Sequence, residues 1–304
     1  MTRHFLSLLD YTQEELRELL DRAKWLKKQQ KAGKEHHPLK GKTLAMVFEK
    51  SSTRTRVSFE VGMYQLGGHA LNITSQASQL GRGETYFDTA QVLSRYVNGI
   101  MMRTFEQVRI DETAAASKVP VINGLTDLLH PCQIMADMLT IEEHKGDISK
   151  QKVVWIGDGN NMANTWIQAA IIFGFPLVLA CPEGFEPPAM ILDKVKGGGY
   201  ENIKFTSDPA TAVKDADVIN TDTWISMGQE SDEAEAKKRV FKPFQVNRAL
   251  IDLARKDAIV LHCLPAHREE EITSEVMDGS HSAIFDQAEN RLHVQKAIME
   301  KLMG

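Results

Sequence analysis

Short apolar, β-rich runs alternate with helical-period segments along almost the whole chain, and no other feature narrows the possible folds as much. The runs are TLAMVF (43–48), HALNI (69–73), NGIMMR (98–103) and VPVIN (119–123), then KVVWIG (152–157), PLVLAC (176–181), IKFT (203–206), DVINT (217–221), AIVLHC (258–263) and SAIFD (282–286). Strands separated by helices read as parallel sheets wrapped by helices. The expected class is therefore α/β, with two doubly wound domains, each a central parallel sheet flanked by helices. A chain of 304 residues is long enough for two such domains. The polar stretch EEHKGDISKQ (142–151) follows a long helical segment and precedes a fresh strand, which sets the expected boundary. The domains are then 1–141 and 142–287, with a C-terminal helix over 288–304 able to fold back onto either. At the other end, apolar residues at 16, 19, 20, 23 and 26 behind a Thr12-to-Glu15 capping box predict a helix.

A formal charge of -5 and a pI near 6.1 leave no broad basic field to meet a nucleic-acid backbone. Any anion site must be local. The opening MTRHFLSLLDYTQEEL lacks the apolar core and cleavage site of a secretory signal. The most apolar window, 166–182, is interrupted by Gly174 and Pro176 and reads as a buried helix turning into a strand, not a membrane span. Cys132, Cys181 and Cys263 are too few and too scattered for a disulfide framework or a zinc cluster. A reducing cytoplasm is the expected setting.

Five stretches bear on chemistry. In EKSSTRTRVSFE (49–60), a strand gives way to a helix whose first turn carries Arg54 and Arg56, although the positive end of the helix dipole disfavours cations there. Free N–H groups, the hydroxyls of Ser52, Thr53 and Thr55, and two guanidinium forks make a cradle for a tetrahedral anion. Each charged hydrogen bond to phosphate contributes about 1.5–3 kcal/mol, against about 0.3–1 kcal/mol lost by opposing the dipole, so a bound anion wins. In LLHPCQIMADM (128–138), His130 and Gln133 stand at a helix start, able to donate to a carbonyl oxygen and to accept from an amide NH2. Taken alone, this pair reads equally as a helix cap with a buried glutamine.

The turn in VVWIGDGNNMANTW (153–166) resembles a dinucleotide fingerprint, but its third glycine position is Met162 and no clear ribose-binding acid ends the next strand. Asn160 and Asn161 suit a polar head group better. In NTDTWISMGQE (220–230), Asp222 follows an apolar strand, in the ligand-binding zone of an open α/β sheet. With no Lys or Arg between 215 and 236, the ligand there is expected to carry an amine. AIVLHCLPAHRE (258–269) delivers Cys263 at a strand end, where cysteine is more often a small buried hydrophobe than a nucleophile.

S-S-T-R-T-R, H-P-C-Q, D-x-x-x-S-M-G and H-C-L-P, in this order over almost the full chain, closely resemble the ornithine carbamoyltransferases. Aspartate carbamoyltransferases share the first two motifs, whereas DTWISMG and HCLP are similar to the ornithine branch. The resemblance implies that the first domain binds carbamoyl phosphate and the second binds ornithine. It implies that Ser52, Thr53, Arg54 and Thr55 hold the phosphate, that Arg103 bridges phosphate and carbonyl oxygen, and that His130 and Gln133 grip the carbamoyl group. The backbone carbonyls of Cys263 and Leu264 would meet the carbamoyl NH2, and Arg291 would return to the site from the C-terminal region. Asn161, Asp222, Ser226 and Met227 would hold the α-carboxylate and α-ammonium of ornithine. Gln79 matches a residue that reaches into the neighbouring subunit of a homotrimer.

The implied reaction is attack of the ornithine side-chain amine on the carbamoyl carbon, giving citrulline and phosphate through a tetrahedral oxyanion. Arg103, His130 and Thr55 are the candidates to stabilise that charge. An amine of pKa about 10.4 is neutral in roughly one molecule in 2,500 at pH 7, so a proton must be removed. Asp222, Cys263 and the departing phosphate are the candidate acceptors. The activated donor needs no metal or organic cofactor, and neither nucleic acid nor membrane is an expected partner. The rival readings are a carbamoyl transfer to another amine, such as acylated ornithine or putrescine, an NAD-dependent dehydrogenase, and a non-catalytic metabolite-binding protein. Whether the reaction serves arginine synthesis or breakdown is not written in the sequence.

Overall fold

The computed structural model describes residues 2–75, 78–225 and 232–304, with side chains in the last segment described from 234. The chain divides into two compact units, residues 1–139 with 289–304, and residues 140–288. The first unit contains α1 (Gln13–Lys31), β1 (Thr43–Phe48), α2 (Thr53–Gln65), β2 (His69–Thr74), α3 (Tyr86–Leu93), β3 (Gly99–Arg103), α4 (Gln107–Ala116) and β4 (Val121–Leu125). The polypeptide passes to the second unit within α5 (Pro131–Lys145). There follow β5 (Val153–Ile156), α6 (Asn161–Phe173), β6 (Leu177–Ala180), α7 (Ala189–Gly198), β7 (Ile203–Thr206), α8 (Pro209–Val213) and β8 (Val218–Thr221). After them come α9 (Asp232–Phe241), α10 (Arg248–Ile251), β9 (Ile259–His262) and α11 (Ser274–Met277). The chain returns to the first unit within α12 (Ile284–Met303).

Both sheets are parallel. Their strand orders are β2-β1-β3-β4 and β7-β6-β5-β8-β9. Each order reverses once, between β1 and β3 in the first sheet and between β5 and β8 in the second. A reversal leaves a crevice at the carboxyl ends of the two strands that flank it. β1, β3, β5, β8 and β9 are almost wholly buried, as helices on both faces of a parallel sheet require, and the buried polar residues among them, Arg103, Asn220, Thr221 and His262, gather at the carboxyl ends.

One expected strand is absent. SAIFD pairs only through a bridge from Ser282 to Val260, and its last three residues open α12. The expected domain break at 142–151 lies around the end of α5, while the unit boundary falls a few residues earlier, inside that continuous helix. The capping box of α1 forms as expected, Thr12 Oγ1 accepting from Glu15 N–H and Glu15 Oε2 from Thr12 N–H.

Candidate active site

In the first unit, β1 ends at Phe48 and α2 begins at Thr53, with Ser52 as its N-cap in extended backbone. Ser52 Oγ accepts from Thr55 N–H at 3.2 Å and donates to Thr55 Oγ1 at 3.0 Å. Thr55 is fully buried, and its hydroxyl oxygen also receives Arg291 Nη2 at 2.9 Å and Arg103 Nη1 at 3.4 Å. Arg103 closes β3 and Arg291 lies on α12, so strand end, helix start and C-terminal helix converge on one hydroxyl. Two guanidinium groups meeting on a neutral oxygen repel one another. An anion in their midst would offset that repulsion.

Gln133 joins the same cluster. Its Oε1 accepts from Arg291 Nη1 at 2.7 Å and its Nε2 donates to Asp137 Oδ1 at 2.8 Å. Asp137, one turn along α5 and fully buried, thereby fixes which end of the amide faces Arg291. Oε1 keeps a second lone pair for an NH2 donor. His130 precedes α5, its carbonyl accepting from Gln133 and Ile134 N–H. Burial first, and then the charges of Arg291 and Arg103, hold its imidazole pKa well below the ordinary 6.5. His130 is therefore neutral at pH 7, suited to polarising an oxygen without carrying a charge of its own.

The remaining first-unit candidates stand differently. Thr53 is exposed and Arg54 half-buried on the first turn of α2. Arg56 is exposed and pairs with Glu60 one turn on at 3.5 Å. Gln79 is exposed at the start of a 3-10 turn, its carbonyl accepting from Arg82 and Glu84 N–H.

In the second unit, Asp222 follows β8 and Cys263 follows β9, on neighbouring strands. The Cys263 thiol donates to Asp222 Oδ1 at 3.0 Å. Asp222 Oδ1 also accepts from Thr223 N–H at 2.8 Å, and Oδ2 from Asn160 Nδ2 at 3.3 Å. Asn160 is the N-cap of α6, its Oδ1 accepting from Met162 and Ala163 N–H. Asn160 thus joins the start of α6 to Asp222. Asn161 opens α6, and its carbonyl accepts from Thr165 Oγ1. Ser226 and Met227 lie outside the described residues.

Behind Cys263 sits a buried pair that was not singled out in the sequence. His262 Nε2 and Glu271 Oε1 are 3.0 Å apart, both side chains fully shielded. Leu264 N–H donates to His262 Nδ1 at 2.9 Å, so the proton of the neutral ring resides on Nε2 and is donated to Glu271. Glu271 Oε1 also accepts from His267 N–H. This pair fixes the backbone on both sides of Cys263, where Leu264 has φ +60° and its bond to Pro265 is cis. Asp222, His262 and Cys263 each offer a potential metal-ligand atom within 4.8 Å of one another. Each of those side chains is already engaged, by Cys263, Glu271 and Asp222 respectively.

The glycine turn after β5 does not resemble a pyrophosphate cradle. A Cβ at Gly159 would lie 2.2 Å from the backbone of Glu186 and Pro187, and Gly159 N–H donates to Phe185 O. The close approach that a dinucleotide site keeps for phosphate is taken here by the chain itself.

Comparisons with known proteins agree in both units. Residues 3–143 match the family model described as aspartate/ornithine carbamoyltransferase, carbamoyl-P binding domain, and residues 149–302 match the Asp/Orn binding domain. The ornithine carbamoyltransferase of Pelobacter propionicus is 61% identical over 304 residues, covering 100% of this chain and 99% of that one. That of Syntrophus aciditrophicus is 56% identical, with both chains fully covered. Among solved structures, ornithine carbamoyltransferase from Pyrococcus furiosus superposes with a TM-score of 0.95 at 52% identity, over 99% of this chain and 97% of that one. The anabolic enzyme from Campylobacter jejuni gives 0.92 at 41% identity, over 99% of each.

Proposed function

The chain belongs to the aspartate/ornithine carbamoyltransferase family, and from that premise we propose that it transfers the carbamoyl group of carbamoyl phosphate to the side-chain amine of L-ornithine. The products are L-citrulline and phosphate, a step of arginine metabolism. The observation that carries the choice of acceptor is the Asp222–Cys263 contact of 3.0 Å. A carboxylate at the ends of β8 and β9 attracts an ammonium and repels the second carboxylate of an aspartate acceptor. Among the described residues, three donors occupy Asp222, which leaves about one of its roughly four lone-pair sites for an incoming N–H.

The first unit binds carbamoyl phosphate in this reading. Ser52, Thr53, Arg54 and Thr55 take the phosphate, Arg103 and Arg291 neutralise it, and His130 with Gln133 orients the carbamoyl oxygen and NH2. The second unit binds ornithine through Asp222 and Asn161, with Ser226 and Met227 completing the acceptor site. The Cys263 and Leu264 carbonyls meet the carbamoyl NH2. As the amine attacks, the negative charge that develops on the carbonyl oxygen is met by Arg103, His130 and Thr55. The C–O bond to phosphate then breaks, and the amine proton leaves to phosphate or to Asp222, either directly or through the Cys263 thiol, which gives its own proton to Asp222 as it takes up the new one.

The protein acts as a homotrimer in which Gln79 reaches a neighbouring subunit's site. Gln79 is exposed, β2 is a sheet edge with largely exposed residues, and Val57, Tyr64 and Leu71 leave apolar surface uncovered. Three free cysteines fit a cytoplasmic setting, and no helix among the described residues is long and apolar enough to cross a membrane. An assay of citrulline and phosphate release with carbamoyl phosphate plus ornithine, aspartate, acetylornithine or putrescine in parallel tests the reading. Turnover with ornithine supports it, and turnover confined to any other acceptor removes it.

A further inference from the structure

Away from the residues assigned above, the first unit carries a cavity of about 540 Å³ lined by the C-terminal half of α1, residues 33–37, the end of α2 and Lys296 of α12. One wall is set by the way α2 stops. Gly67 takes φ +81°, its N–H donating to Tyr64 O, while Gly68 N–H donates to Met63 O at 2.8 Å. This closing motif needs a left-handed residue. His37 Cβ lies only 2.8 Å from where a Gly67 Cβ would stand, so the turn seats the 33–37 segment against the helix end.

Lys296 is 4% exposed. Its ammonium donates to Gln65 Oε1 at 2.8 Å and to Gln30 Oε1 at 3.2 Å, two neutral amide oxygens. The nearest acid on its own helix, Glu300, is taken by Arg22 at 2.6 and 2.9 Å and by His36 at 2.8 Å. Lys34, His36 and His37 line the same cavity, with Glu35 as its one acid. Burial pushes the Lys296 pKa down to about 8, and the charge of Glu300 opposes that shift only in part, its oxygens being bonded to Arg22 and His36. An ammonium has three N–H donors and two are used here. Burying a charge without an anion bonded to it is costly, and Lys296 lines the cavity.

We propose that this cavity binds a small oxyanion, a phosphate or carboxylate group, which accepts the third N–H of Lys296 and supplies a negative charge bonded directly to it. A charge-assisted hydrogen bond on a shielded ammonium is the strong kind. The volume lies within the range of small-molecule sites, with room for a ligand larger than a bare ion. Tyr64, 79% exposed and part of the apolar surface offered above to a neighbouring subunit, stands at its rim. None of these residues is among those assigned to carbamoyl phosphate or ornithine.

The test is calorimetric titration of the full-length protein with inorganic phosphate and, in parallel, with citrate. Arg54→Ala serves as the background in which phosphate binding at the α2 start is disabled. That background is expected to retain one class of oxyanion site, and Lys296→Met placed on it is expected to abolish that class while citrulline formation by Lys296→Met alone is unchanged. Gln65→Glu sets a carboxylate against the ammonium from within, so it is expected to remove the same class and raise Tm, and it stands in if Lys296→Met fails to fold. Binding of phosphate alone or citrate alone identifies the ligand's charged group. If neither anion binds the Arg54→Ala protein at millimolar concentration, or if Gln65→Glu binds as the background does, the proposal is overturned.

Discussion

Arg291 Nη2 donates to Thr55 Oγ1 at 2.9 Å although 236 positions separate the two residues. The contact ties the C-terminal helix to the first turn of α2, and the same guanidinium reaches Gln133. One residue thereby connects the proposed phosphate cradle to the proposed carbamoyl grip.

Replacing Thr55 by Val keeps the shape and removes the oxygen on which Arg103 and Arg291 meet. Loss of a hydrogen bond to a charged group costs about 1.5–3 kcal/mol, which corresponds to roughly 10- to 150-fold weaker binding of carbamoyl phosphate by calorimetry. Unchanged affinity would reduce the Thr55 cluster to a packing feature.

Arg54 and Arg56 should separate cleanly. Arg56 is exposed and paired along its own helix with Glu60, and such pairs contribute about 0.2–0.5 kcal/mol. Arg56→Ala should therefore leave carbamoyl phosphate affinity near that of the parent within one chain, whereas Arg54→Ala should destroy it. Equal losses in the two variants would mean that Arg56 also reaches the anion.

Acid should destabilise the fold through buried histidines. His130 is held well below 6.5 by burial and two arginines, and His293 is pushed to about 4 by burial with Lys296 adding to it. The unfolded chain takes up these protons below about pH 6.5 while the folded chain does not. Their contribution is complete above that pH and is lost as pH falls through it toward the folded values. Urea midpoints should drop between pH 7 and 5, and the drop should shrink in His293→Gln. A midpoint that is flat over this range would contradict the burial argument.

Activity should follow a different group. His130 remains neutral throughout the neutral and alkaline range, so the rise in kcat/KM with pH reports the ornithine amine. That rise should be about tenfold per unit from pH 7 to above 8, while the free amine is mostly protonated. A flat profile with chemistry limiting would count against attack by the amine.

Much of this was legible in the sequence because strands buried on both faces are largely apolar, and the carboxyl ends, where the polar residues gather, are where α/β chains place polar ligands. SAIFD deceived because a short apolar run does not distinguish a strand from the first turn of a buried helix. His262 and Glu271 went unremarked since nothing in their spacing signals a pair: β9 must end and the chain must turn back before the carboxylate meets the ring. Asp137 was readable in principle, lying one helical turn from Gln133. The misfit of arginines at the start of α2 resolves into two separate facts, one guanidinium solvated beside Glu60 and another half-buried on the first turn.

The central claim is a division of labour, with the donor bound by residues of the first unit and ornithine recognised by Asp222 of the second. The most direct test is Asp222→Asn, with carbamoyl phosphate affinity measured by calorimetry and kcat/KM for ornithine by citrulline release. The account predicts a fall of about 10²-fold or more in kcat/KM for ornithine, with carbamoyl phosphate affinity unchanged. Equal loss of both would show that Asp222 supports the fold and does not read the acceptor.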